Sequence, residues 1–236
     1  MPYLERHDEV FVLYLGSEGQ RDSENRFNPQ WVSEVADLLD EVAASTGPAA
    51  LVTTATGKYY STGADLSWGM DNLDRVNSFI DGLQELYARV LSLPMQTIAA
   101  IQGHTFGAAA FWVMTHDYRI MRRDRGYLCF PGVNIGAAYS PGTVDMVGAR
   151  LPSKAFHEAL TTGRRYGGAQ AIDLGLVDEI AEQDDLLDRA IERASSLSGT
   201  RGDSLGQIKA TMYARVLDGL RVPVSGVESQ EWSARN

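Results

Sequence analysis

A chain of 236 residues, 44% apolar and 22% charged, can bury a real core as one large α/β domain or two small ones. Its formal net charge of −10 repels phosphate backbones and argues against nucleic acid as a partner, although a few placed cations and backbone N–H groups still suit a small anionic ligand. The single cysteine, Cys129, excludes an internal disulfide and a four-cysteine zinc site and fits a reducing compartment.

The first residues, MPYLERHDEVFVLYLG, carry charges before any apolar run, so no signal peptide is expected. Val10 to Leu15 reads as a buried strand, and the polar stretch from Gly16 to Asn28 as a loop. Pro29 suits a helix start, and Trp31, Val35, Leu38, Leu39 and Val42 recur at helical spacing. Ala49 to Thr54 is a short strand and Lys58 to Leu66 a turn of small residues. Val76 to Leu93 has helical periodicity, which Pro94 stops. Thr97 to Ile101 is another buried strand, and Gly107 to Met114 a buried helix. Tyr118 to Met121 and Gly126 to Phe130 read as strands, with Cys129 a small buried hydrophobe in the second. Lys154 to Thr161, Ala169 to Gly175 and Asp185 to Leu197 read as helices, and Ser204 to Leu217 as a last amphipathic one. No stretch approaches ~18 uninterrupted apolar residues, so no membrane span is expected. The last four residues, Ser233 to Asn236, are not a peroxisomal address. Alternating strands and helices without a dividing linker predict a layered α/β fold with parallel pairing.

Three segments carry candidate chemistry. In Tyr60-Ser61-Thr62-Gly63-Ala64-Asp65-Leu66, small residues let a ligand approach the backbone. In Ile101 to Ala110, a strand passes through Gly103 and Gly107 into three alanines that open a helix. Free N–H groups there can stabilise an oxyanion, and one from each turn can hold a thioester carbonyl from both sides. Small residues also occur where helices pack tightly on sheets, which is the alternative reading. The third segment is Leu160-Thr161-Thr162-Gly163, with Ala169-Gln170-Ala171 and Gly175-Leu176-Val177.

Taken in order, these segments and Asn25-Arg26-Phe27 resemble the signature of the crotonase, or enoyl-CoA hydratase/isomerase, superfamily, over about Leu4 to Leu217. His116-Asp117-Tyr118 and Met121 to Gly126 look most like the plant-type Δ3,Δ2-enoyl-CoA isomerases. The resemblance implies a ClpP-like spiral of repeated ββα units, with a core over residues 1–200 and a helical trimerisation segment over 201–236. It implies the N–H groups of Ala64 and Ala108 as the oxyanion hole. It places an acyl-CoA along Tyr60, Ser61, Thr62, Asp65, Leu66, Phe106, Gly107, Phe111, Pro131 and Gly132. No metal and no cofactor beyond the coenzyme A of the ligand is implied. The implied assembly is a homotrimer or a dimer of trimers, cytoplasmic, without nucleic-acid or membrane partners.

The family's carboxylates are missing from this pattern. The positions that hold them in hydratases and isomerases align with Phe111, Gly132 and Ser140. Phenylalanine at 111 disfavours a hydratase's water site. Tyr139 and Ser140 are the polar groups nearest the expected acyl carbons, as a proton donor and its neighbour or as loop residues without a catalytic part. Asp65, His104 and the pair His116-Asp117 read as structural, Asp145 as a turn too distant, and Lys209 as a solvated lysine rather than a phosphate contact. Trp68 and Met70 read equally as pocket wall or core. Two functions follow from the resemblance: an enzyme that forms an enolate, most like an enoyl-CoA isomerase, or a non-catalytic acyl-CoA binder. A third, a structural subunit of a larger assembly, has no feature in its favour.

Overall fold

The computed structural model describes residues 1–21 and 23–224. The chain opens with an antiparallel pair, β1 (Tyr3–His7) and β2 (Val10–Tyr14), followed by α1 (Pro29–Ala44), β3 (Ala50–Thr54) and β4 (Tyr59–Ser61). Helices α2 (Leu66–Asp71) and α3 (Val76–Leu91) lead to β5 (Gln96–Ile101), β6 (His104–Phe106) and α4 (Ala108–Met114). Then come β7 (Tyr118–Arg122), β8 (Leu128–Cys129), α5 (Gly132–Ile135), α6 (Pro141–Arg150), α7 (Ser153–Thr162), α8 (Gly168–Asp173) and β9 (Glu179–Ala181). Helices α9 (Leu186–Leu197), α10 (Asp203–Met212) and α11 (Ala214–Leu220) complete the described chain.

Strands sort by turn of a spiral. The first strand of each repeat joins a large sheet of order β1-β2-β3-β5-β7-β9, parallel from β2 onward. The second strand of each repeat joins a small parallel sheet, β4-β6-β8. Alternation along the large sheet feeds two cores, as a parallel sheet buried on both faces requires. Phe11, Leu13, Leu51, Ala99 and Ile101 point to the side of α1, α3 and α4, while Val10, Val12, Val52 and Ile98 point to α9 through Leu186, Ala190 and Ala194.

The start of α1 is specified locally. Asn28 accepts from Trp31 N–H at 2.9 Å, and Pro29 occupies the first helical position, where a missing N–H costs nothing. Helix α6 begins the same way, with Ser140 as N-cap and Pro141 behind it. Strand β1, whose outward side chains are polar along a sheet edge, carries no separate signal in the sequence, nor do the three-residue strands β4, β6 and β9. The single helix expected over Ser204 to Leu217 is two helices, broken at Tyr213.

Lys209 is the clearest correction. Read as solvated, it is only 4% exposed. Its ammonium donates to Asp117 Oδ2 at 2.5 Å and to the Met95 carbonyl at 2.7 Å. The same Asp117 oxygen accepts from Thr97 N–H and Oγ1–H, at 2.8 and 3.0 Å. His116 and Asp117 are both structural, but they serve different partners. His116 Nδ1–H donates to the Trp112 carbonyl at 3.0 Å, which leaves Nε2 to accept from Thr53 Oγ1 at 2.8 Å, and Tyr60 supplies Thr53 with its own O–H at 2.7 Å.

Complete burial lowers His116 to about 3, and Arg150, Lys209 and Arg119 push in the same direction. The unfolded imidazole titrates near 6.5, so between that value and about 3 the unfolded chain holds the extra proton. Stability from this group is therefore complete above pH ~6.5 and falls with acidification, by up to ~1.4 kcal/mol per pH unit. Urea unfolding from pH 7 to 4.5 checks this: the slope for the native chain should exceed that of His116→Gln, and equal slopes would show that His116 is not the source.

Candidate active site

Strands β4 and β6 run parallel, pairing Tyr59 with His104 and Ser61 with Thr105, so both discharge into turns at the same end of the small sheet. Beyond β4 lies Gly63-Ala64, and beyond β6 lies Gly107-Ala108. The turns touch. A Cβ placed on Gly63 would lie 2.3 Å from the Phe106 carbonyl oxygen and 2.8 Å from the Ala108 nitrogen. With φ at +85°, Gly63 also has a backbone conformation that side-chain-bearing residues avoid.

Phe27 fixes the direction of the first turn. Its N–H donates to the Gly63 carbonyl at 2.8 Å and its carbonyl accepts from Asp65 N–H at 2.7 Å, so Ala64, lying between, presents its N–H away from this bridge. Ala108 is the first residue of α4, where no helical acceptor exists for its N–H. Tyr87 steadies that turn by donating to the Ala108 carbonyl at 2.8 Å. Neither Ala64 N–H nor Ala108 N–H has an acceptor among the described residues, and both residues are half-buried. Two fixed donors that share one opening are the arrangement that stabilises charge on a carbonyl oxygen.

Next to this opening stands an aromatic wall. Phe111, on the buried side of α4, meets the Phe130 and Tyr139 rings edge-on at 5.0 and 4.8 Å. Tyr139 folds back over α5. Its hydroxyl accepts from Gly132 N–H at 2.5 Å, and a Cβ on Gly132 would come within 2.4 Å of Tyr139 Cζ and 2.6 Å of the Ala137 carbonyl. Tyr139 thus fills the room a side chain at 132 would need. Burial raises its pKa, the Gly132 N–H opposing, so the phenol stays protonated at neutral pH. Its own O–H has no acceptor among the described residues.

Other candidates divide by what they touch. Ser140 caps α6 and donates to Gln84 Oε1 at 2.6 Å, so its proton is engaged. Tyr60 and Ser61 are buried, Ser61 donating to the Asn25 carbonyl at 2.7 Å and accepting from Gly63 N–H at 2.9 Å. The Tyr60 carbonyl accepts from Asn25 Nδ2 at 3.1 Å; further along the loop Thr62, Ala64 and Asp65 are half-buried and Leu66 is exposed. Asp65 caps α2, accepting from the N–H groups of Ser67 and Trp68 at 3.1 and 3.2 Å. Pro131 and Phe106 are half-buried beside Gly132 and Gly107. Trp68 packs edge-on against Phe79 at 5.3 Å, whereas Met70 is 67% exposed and is not core. Cys129 is buried, its thiol directed at the Gly163 carbonyl at 3.3 Å, and Asp145 lies 3.7 Å from Arg215. Among the described residues, no three His, Cys, Asp or Glu side chains are grouped to hold a metal. Sequence reasoning missed Tyr87 and Asn25 as supports of the two turns. Tyr87 reads as one more core position of a helix, and Asn25 gives no sign of its left-handed backbone.

A family model described as enoyl-CoA hydratase/isomerase matches residues 19–224. A curated relative, enoyl-CoA delta isomerase 2, peroxisomal, of Arabidopsis thaliana, is 31% identical over 222 residues, covering 89% of this chain and 91% of the relative. Among solved structures, a probable enoyl-CoA hydratase of Mycobacterium tuberculosis superposes with a TM-score of 0.84 at 24% identity, covering 96% of this chain and 94% of that one. Human mitochondrial delta3-delta2-enoyl-CoA isomerase superposes with a TM-score of 0.84 at 18% identity, covering 92% and 84%. These likenesses identify the spiral of ββα units as the crotonase fold expected from the motifs. No helix among the described residues is long and apolar enough to cross a membrane.

Proposed function

The chain belongs to the enoyl-CoA hydratase/isomerase family, and from that premise we propose that it binds an acyl-CoA thioester and stabilises its enolate, in the manner of an enoyl-CoA isomerase. The observation that carries this reading is the pair of unpartnered N–H groups at Ala64 and Ala108, held together by the contact at Gly63. A thioester carbonyl between them gains charge as its α-proton leaves, and donors already in place need no reorganisation at that moment.

The proton carrier is Tyr139, or a water it holds. Carboxylates are lacking at Phe111, Gly132 and Ser140, and Tyr139 has an uncommitted O–H beside the apolar wall. The Phe111 ring itself offers no polar group to an attacking water, so migration of the double bond is favoured over hydration. No cofactor other than the substrate's own coenzyme A takes part. The family resemblance supports a homotrimer or dimer of trimers through the C-terminal segment 201–236, of which residues 225–236 lie outside the described residues. The lone buried thiol suits a reducing cytoplasm, while the word peroxisomal belongs to the Arabidopsis relative alone.

Turnover of 3-enoyl-CoA and 2-enoyl-CoA thioesters of several chain lengths tests the proposal. Tyr139→Phe should lower kcat by ~10²-fold, within the range for loss of a general acid, and leave KM within about threefold. Equal kcat in both proteins would remove Tyr139 from the chemistry. The three positions without carboxylates also favour a second reading, a non-catalytic acyl-CoA binder. Tight calorimetric binding without turnover selects it, and absence of binding defeats both.

A further inference from the structure

The outer face of the small sheet carries side chains that, Phe106 apart, the thioester reading does not use. Alternation turns Tyr60, Thr105 and Leu128 into the core and leaves Tyr59, His104, Phe106 and Tyr127 outward. His104 is the centre of this face. Its ring lies 5.5 Å from Tyr59, 5.3 Å from Tyr127 and 5.6 Å from Phe106, nearly parallel to the last. Beside it opens a recess of about 300 Å³ lined by His104, Arg123, Asp124, Arg125, Tyr127 and the glycines Gly126, Gly167 and Gly168. That volume is at the lower end for small-molecule sites.

Cations surround the same face, in a chain of net charge −10. The nearby acids are spent on other arginines: Asp124 on Arg122, Glu182 on Arg123, and Glu158 on Arg164. Lys58, Arg125 and Arg165 have no ion-pair partner among the described residues. Lys58 lies over the Tyr59 ring at 4.9 Å and Arg165 over Phe106 at 5.5 Å. Burial first, and then these three cations, hold His104 below its usual pKa. Its Nδ1 is buried and has no hydrogen-bond partner.

We infer that this recess is a second ligand site, for a phosphorylated planar ligand of the nucleoside-diphosphate type. The unpaired guanidinium and ammonium groups meet the phosphates, where charge-assisted bonds are strong. The aromatic face takes the base by stacking, and the glycine walls let a flat ring approach the backbone. The site is separate from the thioester cradle. His104 begins β6, whereas Ala108 follows its other end, and a three-residue strand spans ~10 Å.

A CoA thioester also contains an adenosine diphosphate moiety, so the test is arranged to tell the two sites apart. Adenosine diphosphate is titrated calorimetrically into the full chain, with and without saturating acyl-CoA, while the imidazole signals are followed by NMR. The expected result is binding that survives acyl-CoA, is at least about tenfold tighter than for inorganic phosphate or adenosine alone, and raises the pKa of His104 as the local positive charge is neutralised. The double variant Arg125→Ser/Arg165→Ser should lose about tenfold or more in affinity with an unchanged melting temperature. Binding that acyl-CoA abolishes, that is no tighter than for inorganic phosphate, or that the double variant leaves intact overturns the inference. The variant arm decides the matter even where no CoA ester binds, so this inference and the proposed function fail separately.

Discussion

Gly63→Ala is expected to abolish acyl-CoA binding, with a loss of ~10²-fold or more, and to lower the melting temperature. Two independent costs meet at this position. The methyl would stand 2.3 Å from the Phe106 carbonyl and 2.8 Å from Ala108 nitrogen, both main-chain atoms that cannot swing aside. The φ of +85° adds ~1–2 kcal/mol for any residue bearing a Cβ. Relief requires the two turns to part, which separates the N–H groups of Ala64 and Ala108. Ala108→Gly is the matched control, since it keeps the N–H and adds no atom. A chain whose binding of acyl-CoA withstands Gly63→Ala, measured by calorimetry beside this control, does not use the paired turns.

Lys209→Met is expected to destabilise the fold by ~3–5 kcal/mol, the range for removing one partner of a buried ion pair. The substitution matches the stem of the lysine, so the packing changes little and the loss is electrostatic. Asp117 would retain the two Thr97 donors but not its counter-charge, and the Met95 carbonyl would lose its donor. Burial draws Lys209 below its usual ammonium range, and the neighbouring Asp117 draws it back. The double variant Lys209→Met/Asp117→Asn should recover part of the loss, because no uncompensated charge remains. Urea unfolding of the native chain and the two variants measures both effects. A loss under 1 kcal/mol in Lys209→Met would mean that the pair is not closed in solution.

How far the sequence could be read depended on how local each cause is. Helix α1 was legible because its proline and its apolar spacing lie within one segment. Helix α6 was not given a place of its own, since Ser140-Pro141-Gly142 resembles a turn, although a serine followed by proline is also the standard opening of a helix. Strand β4 is three residues long, too short to display a period. Lys209 reads as solvated in the sequence because its partner is 92 positions away and nothing near it announces burial. The two turns of the site were visible as ordered motifs, and their small residues have a cause in the contact at Gly63. The closure of Tyr139 over Gly132 was not visible, because the five residues between α5 and α6 can return in many ways and only the folded backbone selects one.

That closure also constrains how the chain can change. A carboxylate introduced at position 132 by a single mutation meets the Tyr139 ring and the Ala137 carbonyl already in its space. A tyrosine removed first leaves the Gly132 N–H without its acceptor and a gap against Phe111. Either order passes through a less stable protein before the second substitution can compensate. The two positions are therefore coupled, and within this backbone a carboxylate at 132 requires Tyr139 to give way.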